Sequence, residues 1–414
     1  HRGRKANGAT PPPTRRMLSK IAGGATAPCW PERMTAPQLP IAQPHHASHP
    51  ARHTPPRPRF SHRPLRHAAC AVLTGLLAAS ILPAYADTPP PRMVTDMGGA
   101  VVSIPQDNGP IADLWYAHNE ITVMLGGAGR IAVSAESPTE SPWLFRFFPA
   151  LLKARTGIRP DTASAEDLLA RHIALVFVSS RAKAEELRRA GLPALSAEYA
   201  TQADLLRSLD MTAQALGTDE ATRTAALYHQ RMAETLTLLH TRLASLPEQN
   251  RPRVLHIARL EPLQVDGGNT LVDAWIAAAG GRNAATVSGN HRPVSAEQIL
   301  AWNPDIVIVD ASAGAVPATS PLMALPALQA GRWWRNPRGI FAWDRYGCED
   351  LLQLYWAATR LHPELFADID IRSVAFTFYQ TFFHVNLTDD EMTRILSGNP
   401  PAPDNARERK EKSH

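Results

Sequence analysis

One stretch of this chain nearly repeats another. Residues 164–180, Ser-Ala-Glu-Asp-Leu-Leu-Ala-Arg-His-Ile-Ala-Leu-Val-Phe-Val-Ser-Ser, align without a gap on 295–311, Ser-Ala-Glu-Gln-Ile-Leu-Ala-Trp-Asn-Pro-Asp-Ile-Val-Ile-Val-Asp-Ala, with seven of 17 positions identical. Each copy reads as a serine-capped short helix followed by a continuous apolar run, the pattern of a strand buried on both faces of a parallel sheet. A weaker echo precedes each copy: Gly126-Gly127 closes one predicted helix and Gly280-Gly281 another, both placed as helix C-terminal stops. Two copies of one plan predict two similar α/β lobes.

Between the copies, residues 202–216 and then 220–246 carry helical periodicity, and the second stretch contains no glycine. At about 1.5 Å per residue this second helix is about 40 Å long, enough to connect two lobes as a stiff rod. The expected fold class is therefore α/β, two Rossmann-like lobes joined by a single long helix. The expected divisions are a leader over 1–86, a first lobe over 87–218, the connector over 219–247, a second lobe over 248–398 and a polar tail over 399–414. The first lobe opens on a predicted hairpin, 93–95 with 100–104, and continues with a helix over 118–125 and a strand over 130–134. The second reads as a strand over 253–257, helices over 270–279 and 295–301, strands over 305–309 and 339–342, and a helix over 349–361.

Composition matters here only because it is uneven. Residues 1–86 hold 12 Lys/Arg, one acid (Glu32) and 14 of the 37 prolines, leaving the other 328 residues with 31 Lys/Arg against 37 Asp/Glu. The basic character thus belongs to the leader, and a nucleic-acid partner is not implied for the rest. Arg57, Arg59, Arg63 and Arg66 precede an apolar run over 68–82 and then Pro83-Ala84-Tyr85-Ala86, the n-region, h-region and cleavage site of a signal peptide cut near Ala86. Export to the periplasm is expected. Beyond the leader Cys348 is the sole cysteine, so no disulfide forms within that segment.

Enzyme signatures were sought and not found. Gly127-Ala128-Gly129-Arg130-Ile131-Ala132 fits G-x-G-x-x-A in letters, but it follows a predicted helix and precedes a strand, the reverse of a dinucleotide site. The histidines after the leader are scattered, with no two at metal-ligand spacing on one helix, so no metal ligands are assigned. Cationic and aromatic residues at predicted strand ends are more informative: Trp143 and Arg146 after the 130–134 strand, Arg259 after the 253–257 strand, and Trp343, Arg345 and Tyr346 before the 349–361 helix. Ligands of open α/β sheets lie beyond strand C-termini, where guanidinium groups grip oxyanions and aromatic rings stack on planar ligands.

The order of these segments resembles a known family. Ala117-His118-Asn119-Glu120, Asp266-Gly267-Gly268-Asn269 through Gly280-Gly281-Arg282-Asn283, Ser295 through Asn303-Pro304-Asp305, Trp343-Asp344-Arg345-Tyr346 through His362-Pro363-Glu364-Leu365-Phe366, and Phe378-Tyr379 occur in the order found in periplasmic binding proteins of importers for ferric siderophores, haem and cobalamin. The resemblance covers residues 92–398 and implies a helical-backbone, class III fold and a monomeric carrier that feeds an ABC permease and its ATPase. It implies no enzymatic activity and no cofactor, the ligand being a metal complex, with an iron-siderophore expected first and molybdate, tungstate or a nickel complex as alternatives. A two-lobed Rossmann-like enzyme such as a chelatase is the alternative of another class. The ligand-binding set expected is Trp143, Arg146, Arg259, Trp343, Arg345, Tyr346 and His118, and the resemblance implies acidic permease-docking residues, assigned to Glu140 and Glu261.

Overall fold

The computed structural model describes residues 90–403; the signal segment, the cleavage point at Ala86 and most of the expected tail lie outside them. The described chain opens on a hairpin, β1 (Arg92–Thr95) and β2 (Val101–Ile104), paired antiparallel as expected from the two apolar stretches flanking Asp96-Met97-Gly98-Gly99. Asp96 closes the turn by accepting from the Ala100 amide, and its other oxygen accepts from Arg188 and from the Ser196 amide. One buried carboxylate thereby fixes the hairpin to the lobe that follows.

That lobe runs through β3 (Ile111–Asp113), α1 (Tyr116–Met124), β4 (Ile131–Ser134), α2 (Pro142–Phe147), α3 (Ala165–Ala170), β5 (Leu175–Val178), α4 (Arg181–Arg189), β6 (Ala194–Ser196) and α5 (Gln202–Leu216). Its four strands pair in parallel in the order β4-β3-β5-β6. All four residues of β5, Leu-Val-Phe-Val, are buried, since helices cover the sheet and no face is left for polar side chains. Leu168, Val176, Val178, Ala184 and Leu187 share one cluster, bringing α3, β5 and α4 together.

The connector is α6 (Asp219–Leu243), 25 residues, about 37 Å at the standard rise. Ala221, Ala225, Tyr228, Met232, Thr235, Leu239 and Leu243 are its buried residues, spaced three or four apart as a single stripe. The chain then forms β7 (Arg253–Leu260), β8 (Leu263–Val265), α7 (Leu271–Ala278), β9 (Arg282–Asn283), β10 (Arg292–Pro293), α8 (Ala296–Trp302), β11 (Ile306–Val309), α9 (Pro326–Gln329) and β12 (Trp333–Arg335). The second sheet has the order β10-β8-β7-β11-β12, with β9 against β7; β7, β11 and β12 are parallel and β8 runs back. Three helices close the molecule: α10 (Asp350–Leu361), α11 (Ile371–Phe383) and α12 (Asp389–Leu396). The stripe of α6 faces α5 of the first lobe and both α7 and α10 of the second.

The repeat occupies equivalent places. β5 lies between β3 and β6, and β11 between β7 and β12. Ser164 caps α3 by accepting from the Asp167 amide; Ser295 caps α8 by accepting from the Gln298 amide, and the Gln298 side chain returns a bond to the Ser295 amide.

One expected strand is corrected. Residues 339–342 do not join the sheet, whose edge is β12 at 333–335. The Ile340 and Phe341 amides donate instead to the carboxylate of Glu349, so a side chain takes the bonds a neighbouring strand would have accepted.

Candidate functional site

The first strand of each sheet carries a buried carboxylate–histidine pair. Asp113, the last residue of β3, accepts from His118 Nδ1 at 2.8 Å and from the Thr122 hydroxyl at 2.6 Å, while His118 Nε2 meets Thr212 on α5 at 2.9 Å. Both nitrogens of His118 are thus engaged and the ring is fully buried, so it fastens α1 to β3 and α5 and is not presented to a ligand.

The second lobe has a larger network. His256 on β7 meets Asp266 at 2.8 Å through Nδ1 and Asp344 at 2.7 Å through Nε2. Burial opposes its charge, but the two carboxylates outweigh it and push the imidazole up to about 9, so it carries a proton at neutral pH. Arg345 donates through Nη1 to Asp266 at 2.8 Å and through Nε to Asp310, just beyond β11, at 2.9 Å. Its Nη2 is buried and has no protein partner. His256 and Arg345 hold Asp266 well below the usual carboxylate range in spite of its burial, so this carboxylate stays ionised.

At Tyr346, the residue after Arg345, the two lobes meet through aromatic rings. Trp115, two residues past β3, lies 5.2 Å from Tyr199, which follows β6, and 6.2 Å from Tyr346 of the second lobe; Tyr199 and Tyr346 are 5.6 Å apart. Asn290 donates its side-chain amide to the Tyr346 hydroxyl, and its own Oδ1 is buried without a partner, as is the Tyr199 hydroxyl. The loop carrying Asn290 is held by backbone bonds from Gly267 to Gly289 and from Gly268 to Val287, and the next amide, His291, donates to Asp266. A side chain at Gly267 would collide with the Val287 carbonyl, so this close approach requires glycine. Burial, then the Arg345 charge, lowers the neighbouring His291.

Of the residues expected from sequence, Arg345 and Tyr346 lie at the meeting of the lobes, and Arg259 is exposed at the end of β7. The others are placed elsewhere. Trp143 is 1% exposed, stacks on Phe147 and donates its indole N–H to the Asn399 carbonyl. Arg146 pairs with Glu391 of α12 at 3.0 Å. Trp343 is fully buried and donates to the Tyr379 hydroxyl. These three, like His118, join elements to one another, because each has its polar group satisfied by protein. Glu140 and Glu261 are both exposed, Glu140 in the loop ahead of α2 and Glu261 in the β7–β8 turn. Trp115, Tyr199, Asn290 and Asp310 went unassigned in the sequence. Asp310 had a signal, since it directly follows the repeated Val-Ile-Val run; Trp115 and Tyr199 follow strands of three residues, too short to show a period.

Among the described residues no group of three or more His, Cys, Asp or Glu side chains is placed to hold a bare metal ion, and no helix is long and apolar enough to cross a membrane. The arrangement suits a small ligand that accepts hydrogen bonds and is enclosed by aromatic rings.

Comparison with known proteins bears on the family and the fold. Residues 114–332 match the profile of a family described as periplasmic binding protein. A molybdate-binding protein, MolA of Haemophilus influenzae, is 30% identical over 117 residues, a match spanning 27% of this chain and 33% of that protein. The crystal structure of a periplasmic solute binding protein from Veillonella parvula superposes with a TM-score of 0.64 at 25% identity, covering 73% of this chain and 96% of that one. The molybdate-bound structure of MolA gives 0.63 at 21% identity over 72% and 99%, a likeness of fold.

Proposed function

This chain belongs to the periplasmic binding protein family, and from that premise we propose that it captures a compact metal oxyanion of the molybdate or tungstate kind between its lobes and delivers it to an ABC permease. One observation carries the choice of ligand: Arg345 Nη2 is buried and unpartnered, and the next residue, Tyr346, meets Asn290 and the other two rings. A guanidinium already fixed by two carboxylates loses little freedom when it donates its remaining N–H groups, so the donor is preorganised. The Tyr199 hydroxyl, buried without a partner on a ring 5.6 Å from Tyr346, is a further donor between the lobes. The local match to a molybdate-binding protein points the same way.

A second reading keeps the iron-siderophore class, favoured by the Trp115–Tyr199–Tyr346 trio, since rings of this kind stack on planar chelates. Delivery would use Glu140 and Glu261, both exposed, as docking points for cations of the permease.

The test is calorimetric titration with molybdate, tungstate, sulfate, a ferric siderophore, haem and nickel-histidine. Saturable binding of molybdate or tungstate, weakened at least about tenfold (~1.4 kcal/mol) in Arg345→Gln, is expected. Binding of the ferric chelate alone would replace the oxyanion reading with the second one, and binding of none would remove both.

A further inference from the structure

Beneath the aromatic rings the lobes meet through carboxyl groups. Glu120 on α1 is 1% exposed and extends into the other lobe, where Oε1 accepts from the Glu349 amide at 3.1 Å and from the Cys348 thiol at 2.9 Å. Its Oε2 occupies the space a side chain at Gly347 would fill and has no partner. Glu349 is itself fully buried against the Ile340 and Phe341 amides and the Tyr379 hydroxyl. Asp350, first residue of α10, is fully buried, and its one polar neighbour is the uncharged Gln202 side chain of α5. Tyr228 of α6 completes the wall by donating to the Cys348 carbonyl. Among the described residues none of these three carboxyls has an ion-pair partner.

Three buried carboxyls without a cation cannot all be charged at reasonable cost, because burying an unpaired carboxylate is far more expensive than burying the neutral acid. Their neighbours, Cys348, Tyr199, Tyr228, Tyr346 and Tyr379, are weak acids and neutralise nothing. We propose that the Glu120–Glu349–Asp350 junction is a proton-binding site that holds the lobes together below the ligand cleft, so that closure and ligand retention are linked to proton uptake. Burial, followed by mutual repulsion, raises Glu120 well above the ordinary glutamate range. Burial pushes Glu349 up to about 7 and Asp350 up to about 8. The junction also adjoins the rings above it: burial, then proximity to Glu120, raises the Tyr199 hydroxyl, one of the three rings.

The sign follows from linkage. A carboxyl raised in the closed form binds its proton more tightly there than when solvated, so closure is favoured at low pH and weakened as pH rises through about 7 to 8. The test uses the full chain without ligand, so its outcome is independent of the oxyanion reading. Difference infrared spectra between pH 6 and pH 9 should show loss of a protonated-carboxyl band, reduced in Glu120→Gln and in Asp350→Asn. Over the same range the Glu349 amide, corrected for intrinsic exchange, should lose at least about tenfold in hydrogen-exchange protection while amides inside α5 keep theirs; a tenfold change corresponds to about 1.36 kcal/mol. Absence of the band in the wild type overturns the proton site. A band with unchanged Glu349 protection, or protection lost equally in α5, overturns its link to the lobes.

Discussion

At the residue scale the second-lobe network is a chain of mutual dependence. His256 is charged because Asp266 and Asp344 flank it, and Arg345 is held because Asp266 and Asp310 are ionised. Removing one member leaves the others buried and unpaired, so His256→Asn is expected to cost about 3–5 kcal/mol, read as a lowered denaturation midpoint in urea. The imidazole is raised in the folded state; its contribution is complete below the ordinary histidine range and lost as pH passes about 9. A fall in melting temperature between about pH 6.5 and pH 9 should therefore be present in the wild type and reduced in His256→Asn. Cys348 follows the same logic: burial, then Glu120, pushes its thiol well up, so it should resist alkylation at pH 8 until the protein unfolds. Much of this was hidden in the sequence. Arg345 was legible because a basic residue between aromatics ahead of a helix stands out, but a histidine paired with carboxylates 10 and 88 positions away leaves no local pattern. Trp143 and Trp343 showed the same aromatic signal as Tyr346, and only their indole partners, Asn399 and Tyr379, reveal that they join elements of the fold.

Elements were far more legible, because they depend on neighbours in sequence. Serine caps, glycine stops and apolar runs placed α3, β5, α8 and β11 from the repeat, and α5 was predicted over the residues it occupies. The missed case, 339–342, has the composition of a strand, but Glu349 lies close enough to take its amides. Caps should also be measurable here. Ser295 and Gln298 satisfy each other's amides at the start of α8, and Ser295→Ala is expected to cost about 1 kcal/mol in urea denaturation. The same change at Ser164, whose cap is one-sided, should cost no more than that.

At the scale of the whole molecule, the two sheets, α6 and the acidic junction act together. If the junction is neutral when the lobes are closed, a ligand that requires closure must bind more tightly as pH falls. The measured affinity for molybdate should rise between pH 9 and pH 6, and titration in buffers of different ionisation enthalpy should show protons taken up on binding. The lobes are also joined at a second place. The chain end returns to the first lobe, where Trp143 donates to the Asn399 carbonyl and Arg146 pairs with Glu391 on α12. A panel hung from a single pin can swing and twist, but one mounted on two turns only about the line between them. With α6 as one mounting and the α2–α12 contact as another, twisting of one lobe on the other is expected to be restrained, and Arg146→Ala should loosen it.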